Sequence, residues 1–549
     1  MSQQFLQIAK VVEVNGSKTV GELEASVNDL YRTHRSRKYS IGQIGSIVKI
    51  ESGDLLIFGV VTSLRMMETL SSNAPSTQGH TDSTNAKWIE IELFGQGRRT
   101  GTKESDFDFE RGVSTYPLPG QQIFVATFDE LRRVYAKPDK ATIQVGTASQ
   151  ARGLPVHLLV DDLLGKHFAV LGTTGSGKSC AVTLLLKAIL DRFSHAHIVL
   201  LDPHDEYRQA FPDHSEAIDP TSLEIPHWLL NFEESVELFV GRSEHAAVSQ
   251  TNILKDALLK ARQMYKPECD LLQPLTVDTP TPYKISDLIN AITEAKKPLT
   301  VSKAESHDKI LGKIETLKND KRFEFLLRPD DSVKDNLAIL LGRLFRMPTF
   351  NKPLCIINLS GVPSDVVDVV VSVLCRTLCD FALWNPQRHA LPLLLVCEEA
   401  HRYAPRNEAA VFQSARNSLA RIAKEGRKYG VGLALVTQRP SELSESILSQ
   451  CNTIIALRMS NEQDQQFIRR ALPDAVRSLV DALPAMRTRE ALVVGEGTTV
   501  PVRIVFNELP ENARPRSANV PFAQSWLTND GDLEAVETAV RRWREQDRG

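Results

Sequence analysis

The octapeptide GTTGSGKS, residues 172–179, decides the fold of this chain. It fits the pattern G-x-x-x-x-G-K-[ST] of a phosphate-binding loop. The apolar run before it, residues 167–171 (HFAVL), predicts a buried strand, and residues 180–190 (CAVTLLLKAIL) predict a helix. Strand, glycine turn and helix are the context that such a loop requires, since the helix N-terminus attracts anions. A glycine-rich turn with a chance lysine is the alternative, and this context argues against it.

The loop predicts a bound nucleotide with Mg²⁺. Glycines let successive backbone N–H groups point inward at phosphate oxygens. Lys178 is expected to neutralise the β- and γ-phosphates, and the hydroxyl of Ser179 to bind Mg²⁺. The residues expected around the nucleotide are Gly172, Thr173, Thr174, Gly175, Ser176, Gly177, Lys178, Ser179 and Cys180.

A second apolar run is followed by two glutamates, Glu398 and Glu399, within residues 393–401 (LLLVCEEAH). Nucleotide hydrolysis needs carboxylates at the tip of a strand beside the phosphate-loop strand, one for the metal and one for the attacking water. We assign Glu398 to the metal and Glu399 to the water. If the strand continues, their side chains point to opposite faces, so that each does one task. A plain acidic strand end is the alternative.

Two further polar positions follow. Gln438 ends the next apolar run and is our choice for sensing the γ-phosphate, although a plain turn before Pro440 would also explain it. Residues 416–428 (RNSLARIAKEGRK) predict a cationic helix. In ring ATPases an arginine from the adjacent subunit stabilises the transition state. Arg427, just past Gly426, is placed to reach outward; Arg416 and Arg421 are alternatives, as is a simple solvated helix face.

Asp202, His204 and Glu206 follow the apolar run of residues 196–201. They could line the nucleotide site or transmit its state. A structural turn capped by Asp202 explains them nearly as well.

The bulk properties fit an ordinary soluble enzyme. The net charge of −3 over 549 residues indicates that any DNA contact must come from a local basic surface. None of the seven cysteines forms a C-x-x-C pair, which favours core thiols in a reducing compartment. Neither a signal core nor an apolar run of membrane-spanning length is evident, so we expect a cytoplasmic protein.

Apolar periodicity divides the chain into five parts. The first, residues 1–148, has short strand-like runs at 6–14, 44–50, 55–64, 88–94, 122–127 and 142–145, which predict a small closed barrel. The polar segment 68–87 predicts a loop. The pair Arg98-Arg99 near Lys103 could touch nucleic acid or lie on a solvated surface.

Alternating strands and helices then predict an α/β core with a parallel sheet flanked by helices, over residues 149–226 and 346–510. Helical patterns at 231–240, 245–265, 284–295 and 308–318 predict an all-α insertion over residues 227–345. Residues 501–506 predict an edge strand. The tail, residues 511–549, contains a helix at 531–544 that packs on its own domain or on a neighbouring subunit.

Five motifs in order resemble the HerA-like branch of the HerA/FtsK ATPases. They are GTTGSGKS at 172, LLDPHDEY at 200, CEEAH at 397, IAKEGRKYGVGL at 422 and TQRP at 437. The resemblance covers nearly the whole chain and implies a RecA-like ATPase core with an N-terminal HAS-type barrel. The family usually has aspartate where this chain has Glu398, and the extra methylene of glutamate is expected to shift the metal geometry slightly.

The resemblance also implies a function. It implies an ATP- and Mg²⁺-dependent homohexameric ring that threads double-stranded DNA through its pore, with Lys178, Ser179, Glu399 and Arg427 in the roles given above. Relatives work with a NurA-type nuclease or with anti-phage effectors such as sirtuin-type NAD-hydrolysing proteins, which dock at the barrel end. Residues 360–366 (SGVPSDV) are a weak candidate for a pore loop.

Two functions stay open at this point. The first is a DNA translocase or helicase coupled to a nuclease or defence effector. The second is an ATP-gated scaffold that assembles an effector with little translocation. A conjugation or secretion motor is a third option, which the missing membrane segment disfavours.

Overall fold

The computed structural model describes two units of the chain, and each is taken by itself below. The first unit comprises residues 1–196 and 379–509, and the second residues 197–378 and 510–549. Within them the described residues are 6–24, 27, 31–34, 37–41, 43–68, 85–103, 105–151, 153–219, 225–241, 247–265, 274–327, 330, 333–387, 389–407, 413–516, 522–528 and 531–545.

The first unit begins with a closed barrel. The N-terminal strands are β1 (Gln7–Asn15), β2 (Lys18–Leu23), β3 (Tyr31–His34), β4 (Arg37–Ser40), β5 (Ile47–Ser52), β6 (Leu55–Glu68), β7 (Asn85–Arg99), β8 (Phe107–Arg111) and β9 (Gln122–Val125). Six of them follow the order β2-β1-β9-β5-β6-β7, and pairing of β2 with β7 closes the ring. Isoleucine and valine side chains from these strands fill the interior, and closure leaves the six strands without a free edge.

Several N-terminal strands escape the sequence analysis, and of these only β2 belongs to the closed ring. Strands β2, β3, β4 and β8 are short and mostly polar, so that no apolar run marks them. Both ends of the predicted loop 68–87 belong to strands, because β6 extends to Glu68 and β7 begins at Asn85. Residues 69–84 of that prediction lie outside the described residues.

A buried ion pair joins the barrel to helix α1 (Phe128–Val134). The Lys49 ammonium lies 2.6 Å from the Glu130 carboxylate, and both side chains are almost fully buried. Glu130 also forms a capping box with Thr127 at the start of the helix. The Glu130 carboxylate therefore both caps the start of α1 and holds α1 against Lys49 of β5.

The ATPase part of the first unit is a mixed sheet. Its strands are β10 (Thr142–Ala148), β11 (Pro155–Leu159), β12 (Phe168–Leu171), β16 (Leu393–Cys397), β17 (Val431–Thr437), β18 (Thr453–Leu457), β19 (Glu490–Gly495) and β20 (Val502–Phe506). They follow the order β11-β10-β20-β19-β18-β12-β17-β16. Strands β18, β12, β17 and β16 are parallel, and the pairs from β18 through to β11 are antiparallel.

Two sequence predictions about this sheet are wrong. Residues 142–145 belong to β10, which pairs with β11 and β20 in this sheet and not with the barrel. Strand β20 lies between β19 and β10, so it is not an edge strand. Strand β10 alternates apolar and polar residues like a barrel strand, and β20 is a short run near the end of the core. Sequence periodicity alone does not identify a strand's partner.

The helices of the first unit flank this sheet. They are α2 (Val160–Gly165), α3 (Lys178–Arg192), α10 (Gln413–Glu425), α11 (Glu445–Leu448) and α12 (Glu462–Ala471). Arg111 of β8 donates to the carbonyl oxygens of Gly495 and Thr498, which connects the barrel to the turn after β19.

The second unit combines three parallel strands with the predicted helical insertion. The strands are β13 (Ile198–Asp202), β14 (Ser215–Ile218) and β15 (Leu354–Asn358), with β15 between the other two. The helices are α4 (Phe232–Phe239), α5 (Ala247–Met264), α6 (Ile285–Lys296), α7 (Val301–Lys318), α8 (Leu337–Leu344), α9 (Ser364–Trp384), α13 (Phe522–Thr528) and α14 (Leu533–Glu545). Strand β14 and helix α13 are additions to the sequence analysis, and α9 continues into the first unit.

The tail helices leave large apolar side chains uncovered by the described residues. Trp526 on α13 is 78% exposed, and Trp543 on α14 is 76% exposed. Across the described residues, no helix has both the length and the apolar character to cross a membrane.

Candidate functional site: a nucleotide-binding loop and the strand tips beside it

The phosphate loop joins β12 to α3 as the sequence predicts. Gly175 and Gly177 have φ of 72° and 99°, a region that L side chains rarely adopt. Gly177 is the N-cap of α3 and leaves the helix without a side-chain cap. The first N–H groups of α3 are therefore available to an anionic ligand at the positive end of the helix dipole.

Close packing fixes the start of the loop. A Cβ on Gly172 would lie 2.7 Å from Ser176 Oγ and 2.9 Å from Leu457 Cβ, closer than real Cβ contacts. The Thr173 amide and hydroxyl both donate to the Arg458 carbonyl oxygen, each over 3.1 Å. Lys178 is 8% exposed, and Ser176 Oγ is buried without a hydrogen-bond partner in the described part of the chain. The loop is thus rigid at its base, with unsatisfied donors toward its centre.

Strand β17 supplies the nearest polar side chain. Leu171, the last residue of β12, pairs with Thr437, and the Gly172 amide donates to the Thr437 carbonyl oxygen over 3.3 Å. The next residue, Gln438, accepts a hydrogen bond from the Thr174 hydroxyl over 2.5 Å. The structure therefore places Gln438 against the phosphate loop; its sensing role stays a prediction.

The acidic pair lies one strand further away than expected. Strand β16 pairs with β17, so β17 separates it from β12. The strand does not continue through the pair, so the expectation of two opposite faces does not apply: β16 ends at Cys397, and Glu399 adopts φ 50° and ψ 45°. Glu398 is 3% exposed and Glu399 is 5% exposed. The left-handed turn, and not strand alternation, separates the two side chains.

His401, to which the sequence analysis assigns no role, lies between Glu399 and the end of β17. The Nδ1 atom of His401 lies 2.9 Å from Thr437 Oγ1 and 3.3 Å from Glu399 Oε2. Burial lowers the pKa of His401, although the neighbouring Glu399 acts in the opposite direction. The imidazole is therefore neutral at pH 7. Only the H of the motif CEEAH could have pointed to it.

The three candidate arginines differ in their surroundings. Arg416 and Arg421 lie on α10, and Arg427 lies in the turn after it. Arg421 lies 3.4 Å from Asp380 and 3.9 Å from Glu425 of the same chain. Arg427 is exposed in the turn that follows α10 and forms no ion pair with any described residue. Arg416 is half-buried. Of these three, Arg427 is the best placed to act on another molecule, and that role stays a prediction.

Asp202 and His204 belong to the second unit. The Asp202 carboxylate is completely buried at the end of β13 and accepts from the amides of His204 and Tyr207, over 3.2 and 3.0 Å. Burial raises the pKa of Asp202, and these amide hydrogen bonds act against that rise. This geometry favours the structural-turn alternative for Asp202, and His204 is exposed beside it.

Other groups near the loop were not found by sequence reasoning. The position of a Cβ on Gly177 lies 3.8 Å from the Arg489 amide nitrogen and 4.0 Å from Thr488 Cγ2. Arg458 is connected to the loop through its carbonyl oxygen. No motif marks these residues, because a backbone contact places few demands on the side chain.

Comparison with known proteins supports the family indicated by the motifs. Residues 143–378 match a family described as "Helicase HerA, central domain". The chain is 27% identical to the DNA double-strand break repair helicase HerA of Pyrococcus furiosus, over 90% of this chain and 92% of that protein. It is also 27% identical to the HerA helicase of Sulfurisphaera tokodaii, over 71% of this chain and 74% of the relative.

Two solved structures align with much of this chain at TM-scores below 0.5. VirB4 of Thermoanaerobacter pseudethanolicus aligns with a TM-score of 0.49 and 14% identity, over 69% of this chain and 99% of that one. The plasmid coupling protein TrwB in complex with ADP and Mg²⁺ aligns with a TM-score of 0.46 and 15% identity, over 71% and 94% of the respective chains. The assignment below depends on the sequence matches and the motifs.

A phosphate loop on β12, a polar strand tip beside it and a carboxylate pair on the next strand together define a P-loop ATPase. The five ordered motifs and the sequence relatives narrow this class. The family match over residues 143–378 and the relatives at 27% identity support a HerA-like ATPase.

Proposed function

We propose that this protein is an ATP-driven motor that translocates on or unwinds double-stranded DNA as a hexameric ring. The observation that carries the proposal is the order of three parallel strands: the phosphate loop follows β12, Gln438 follows the adjacent β17, and Glu399 lies just after β16, so all three lie at the same edge of the sheet. The choice of DNA rests on the relatives, which are named as DNA double-strand break repair helicases.

The proposed reaction is transfer of the γ-phosphoryl group of ATP to water. Lys178 and the α3 N-terminus bind the phosphates and offset their charge. Glu399 orients the attacking water and accepts its proton, since its buried carboxylate oxygen Oε2 has no hydrogen-bond partner among the described residues. Gln438, bonded to Thr174, is positioned to respond to the γ-phosphate.

The residues present are compatible with Mg²⁺. Ser179 follows the phosphate-binding lysine at the start of α3, and Glu398 offers a buried carboxylate. Hydroxyl and carboxylate oxygens are the ligands that Mg²⁺ prefers. When bound, the ion would neutralise charge on the phosphates.

Arg427 gives a reason to expect a ring. Its exposed side chain has no ion-pair partner in the described part of its own chain, which suits a contribution to the site of an adjacent subunit. The exposed Trp526 and Trp543 of the tail offer apolar surface to a second copy. A closed ring with one repeated contact satisfies both requirements.

We expect the partner protein to dock at the barrel end of the molecule. A NurA-type nuclease or a defence effector, such as a sirtuin-type NAD-hydrolysing protein, would use the motor to reach or process DNA. The protein would work in the cytoplasm, where DNA and such partners are found. The identity of the neighbouring gene is the simplest observation that separates repair from anti-phage defence.

The alternative function is an ATP-gated scaffold that activates an effector with little translocation. A Glu399→Gln variant separates the two, because it should bind ATP without hydrolysing it. If effector activity survives in that variant while ATP turnover is lost, the scaffold function is supported over the motor.

The direct test measures ATP hydrolysis and strand displacement on duplex DNA with a single-stranded extension. We expect Lys178→Ala to lower ATP turnover at least about 100-fold, since phosphate charge is then uncompensated. Lys313→Ala, an exposed lysine on α7, is the matched control and should retain wild-type turnover. Unchanged ATP hydrolysis by Lys178→Ala would overturn the proposal.

A further inference from the structure

We propose that His401 is a positioning residue that connects Thr437, at the tip of β17, with the water-activating Glu399. The inference deepens the proposed ATP hydrolysis and rests on it. It assigns a role to a side chain that neither binds phosphate nor contacts the proposed water. The link would transmit the position of the γ-phosphate-sensing strand to the carboxylate.

The geometry places one nitrogen atom between two oxygen atoms. His401 Nδ1 is at hydrogen-bond distance from Thr437 Oγ1, 2.9 Å, and Glu399 Oε2 is 3.3 Å away on a different element. Thr437 is completely buried, and the Glu399 and His401 side chains are 7% and 13% exposed. Water therefore has little access to compete for these groups.

The neighbours also determine which tautomer this corner favours. If Nδ1 lacked a proton, its lone pair would face the Glu399 carboxylate, an unfavourable contact in a buried corner. With a proton on Nδ1, the imidazole donates to Thr437 Oγ1 and presents positive charge density to Glu399. Thr437 Oγ1 already accepts from the Arg439 amide over 3.1 Å, and its second lone pair suits the imidazole.

The Glu399 carboxylate needs a neighbouring group to hold it in position. Its backbone is in the left-handed region, where a non-glycine residue is strained, and its Oε2 has no hydrogen-bond partner among the described residues. His401 Nδ1 is already 3.3 Å from Oε2, so a small rotation of the imidazole would align its N–H with that oxygen. The imidazole can therefore exchange one partner for the other.

Thr437 connects this exchange to the phosphate loop. It immediately precedes Gln438, which accepts from Thr174, and its carbonyl oxygen accepts from the Gly172 amide. A movement of the Gln438 backbone toward or away from a γ-phosphate would therefore also move Thr437. His401 is the described side chain that contacts both Thr437 and Glu399, so it can pass that movement to the carboxylate.

The test measures the kcat of ATP hydrolysis separately from ATP affinity in the full-length protein without DNA. Thr437→Val keeps the side chain's shape and removes the acceptor, and His401→Ala removes the donor. We expect each to lower kcat about tenfold or more, because small misplacements of a catalytic group are costly. The Kd for ATP should change less than threefold, as neither residue binds phosphate.

Two rescue variants distinguish positioning from folding. Thr437→Ser keeps the acceptor, and His401→Asn places an amide N–H near the position of Nδ1; both should recover most of the lost kcat. The double variant Thr437→Val/His401→Ala should be no slower than the slower single variant, because both break one link. His389→Ala, an exposed histidine on a turn of the same unit, is the matched control.

The outcomes are separable. Wild-type kcat in His401→Ala, losses that multiply in the double variant, or losses that the rescue variants fail to reduce would overturn the inference. If a single variant melts below the assay temperature, the rescue variants decide alone: recovery supports the link and its absence overturns it. Failure of wild-type protein to hydrolyse ATP would instead reject the proposed function.

Discussion

At the scale of single residues, Gly172 shows why the phosphate loop tolerates so little change. Its φ is ordinary, and the constraint is space, since Ser176 Oγ and Leu457 Cβ lie where a Cβ would be. We expect Gly172→Ala to displace the loop and to weaken ATP binding at least about tenfold, a cost of about 1.4 kcal/mol. Isothermal titration with ATP measures this effect.

Gly165→Ala is the matched control for that prediction. Nothing lies within 4 Å of a Cβ at Gly165, and its φ is outside the left-handed region. Its ATP affinity should equal that of the wild type. Equal affinity in Gly172→Ala would show that the loop adjusts freely, against the packing argument.

The roles of Arg427 and Arg421 can be distinguished by the ion pairs that each forms within its own chain. Arg421 is engaged by Asp380 and Glu425 of its own chain, whereas Arg427 has no such ion pair among the described residues. We expect Arg427→Ala to lower kcat by about 10³-fold with nucleotide binding retained, as for a trans arginine. Arg421→Ala should keep kcat within about threefold of wild type, since surface pairs contribute little. The reverse order of the two effects would move the role to Arg421.

At the scale of elements, the sequence predicts those parts that a local pattern specifies. Strand β12, the loop and α3 were predictable because glycine positions, an apolar run and a helix start coincide there. Helices α5 and α6 were predictable from apolar periodicity. Strand β20 was misplaced because its neighbours, β19 and β10, are set by tertiary contacts.

In the candidate site, too, the sequence predicts what a local pattern specifies and misses what tertiary contacts determine. Gln438 could be located from the end of an apolar run, and the structure brings it to Thr174. The left-handed turn at Glu399 could not, because glutamate has no preference for that conformation. The role proposed for His401 depends on a distance between two strand tips, which no local pattern encodes.

The buried pair Lys49–Glu130 allows a prediction about the barrel. Glu130→Gln keeps the cap shape of α1 and removes the charge that faces Lys49. Leaving one charge of a buried pair costs about 3–5 kcal/mol. We expect the lower end at pH 7, because Glu51 still lies 2.8 Å from Lys49. Chemical denaturation measures the free energy of unfolding.

The pH dependence of this cost has a definite sign. Burial lowers the pKa of Lys49, but Glu130 and Glu51 outweigh it and raise the pKa above its usual value. In the wild type the pair's stabilisation is complete below the unfolded pKa of about 10.4 and is lost as pH rises through the folded pKa. In Glu130→Gln only Glu51 still opposes burial, so the pKa of Lys49 should be lower than in the wild type, and the stability gap to wild type should narrow as pH rises through that lower pKa. A gap independent of pH would show that the charge facing Lys49 does not cause the effect.

At the scale of the whole molecule, the nucleotide site is assembled from far-apart parts of the chain. The phosphate loop, β16 and β17 all belong to the first unit, and the helical insertion of the second unit separates them in sequence. Arg111 connects the barrel to the turn after β19 in that same unit. The barrel is therefore tied to the sheet that carries the phosphate loop, which gives a partner bound at the barrel a route to the ATPase sheet.

A shared active site makes a prediction about mixtures of inactive subunits. Lys178→Ala retains Arg427, and Arg427→Ala retains the phosphate loop, so neither forms a complete site alone. If Arg427 acts in the adjacent subunit, a Lys178→Ala subunit completes the site of an Arg427→Ala neighbour. In randomly mixed rings about a quarter of the sites are then complete, and we expect up to about that fraction of wild-type ATPase activity.

The measurement uses two affinity tags, one on each variant, with co-expression and sequential purification so that every complex contains both. Lys178→Ala co-expressed under both tags is the control for contaminating ATPase activity. Because an arginine that acts within its own chain cannot be supplied by a neighbour, mixed complexes no more active than this control would place Arg427 in cis. Recovery would in contrast show that each site draws on two chains, and light scattering of the same sample would then count the subunits, for which we expect six.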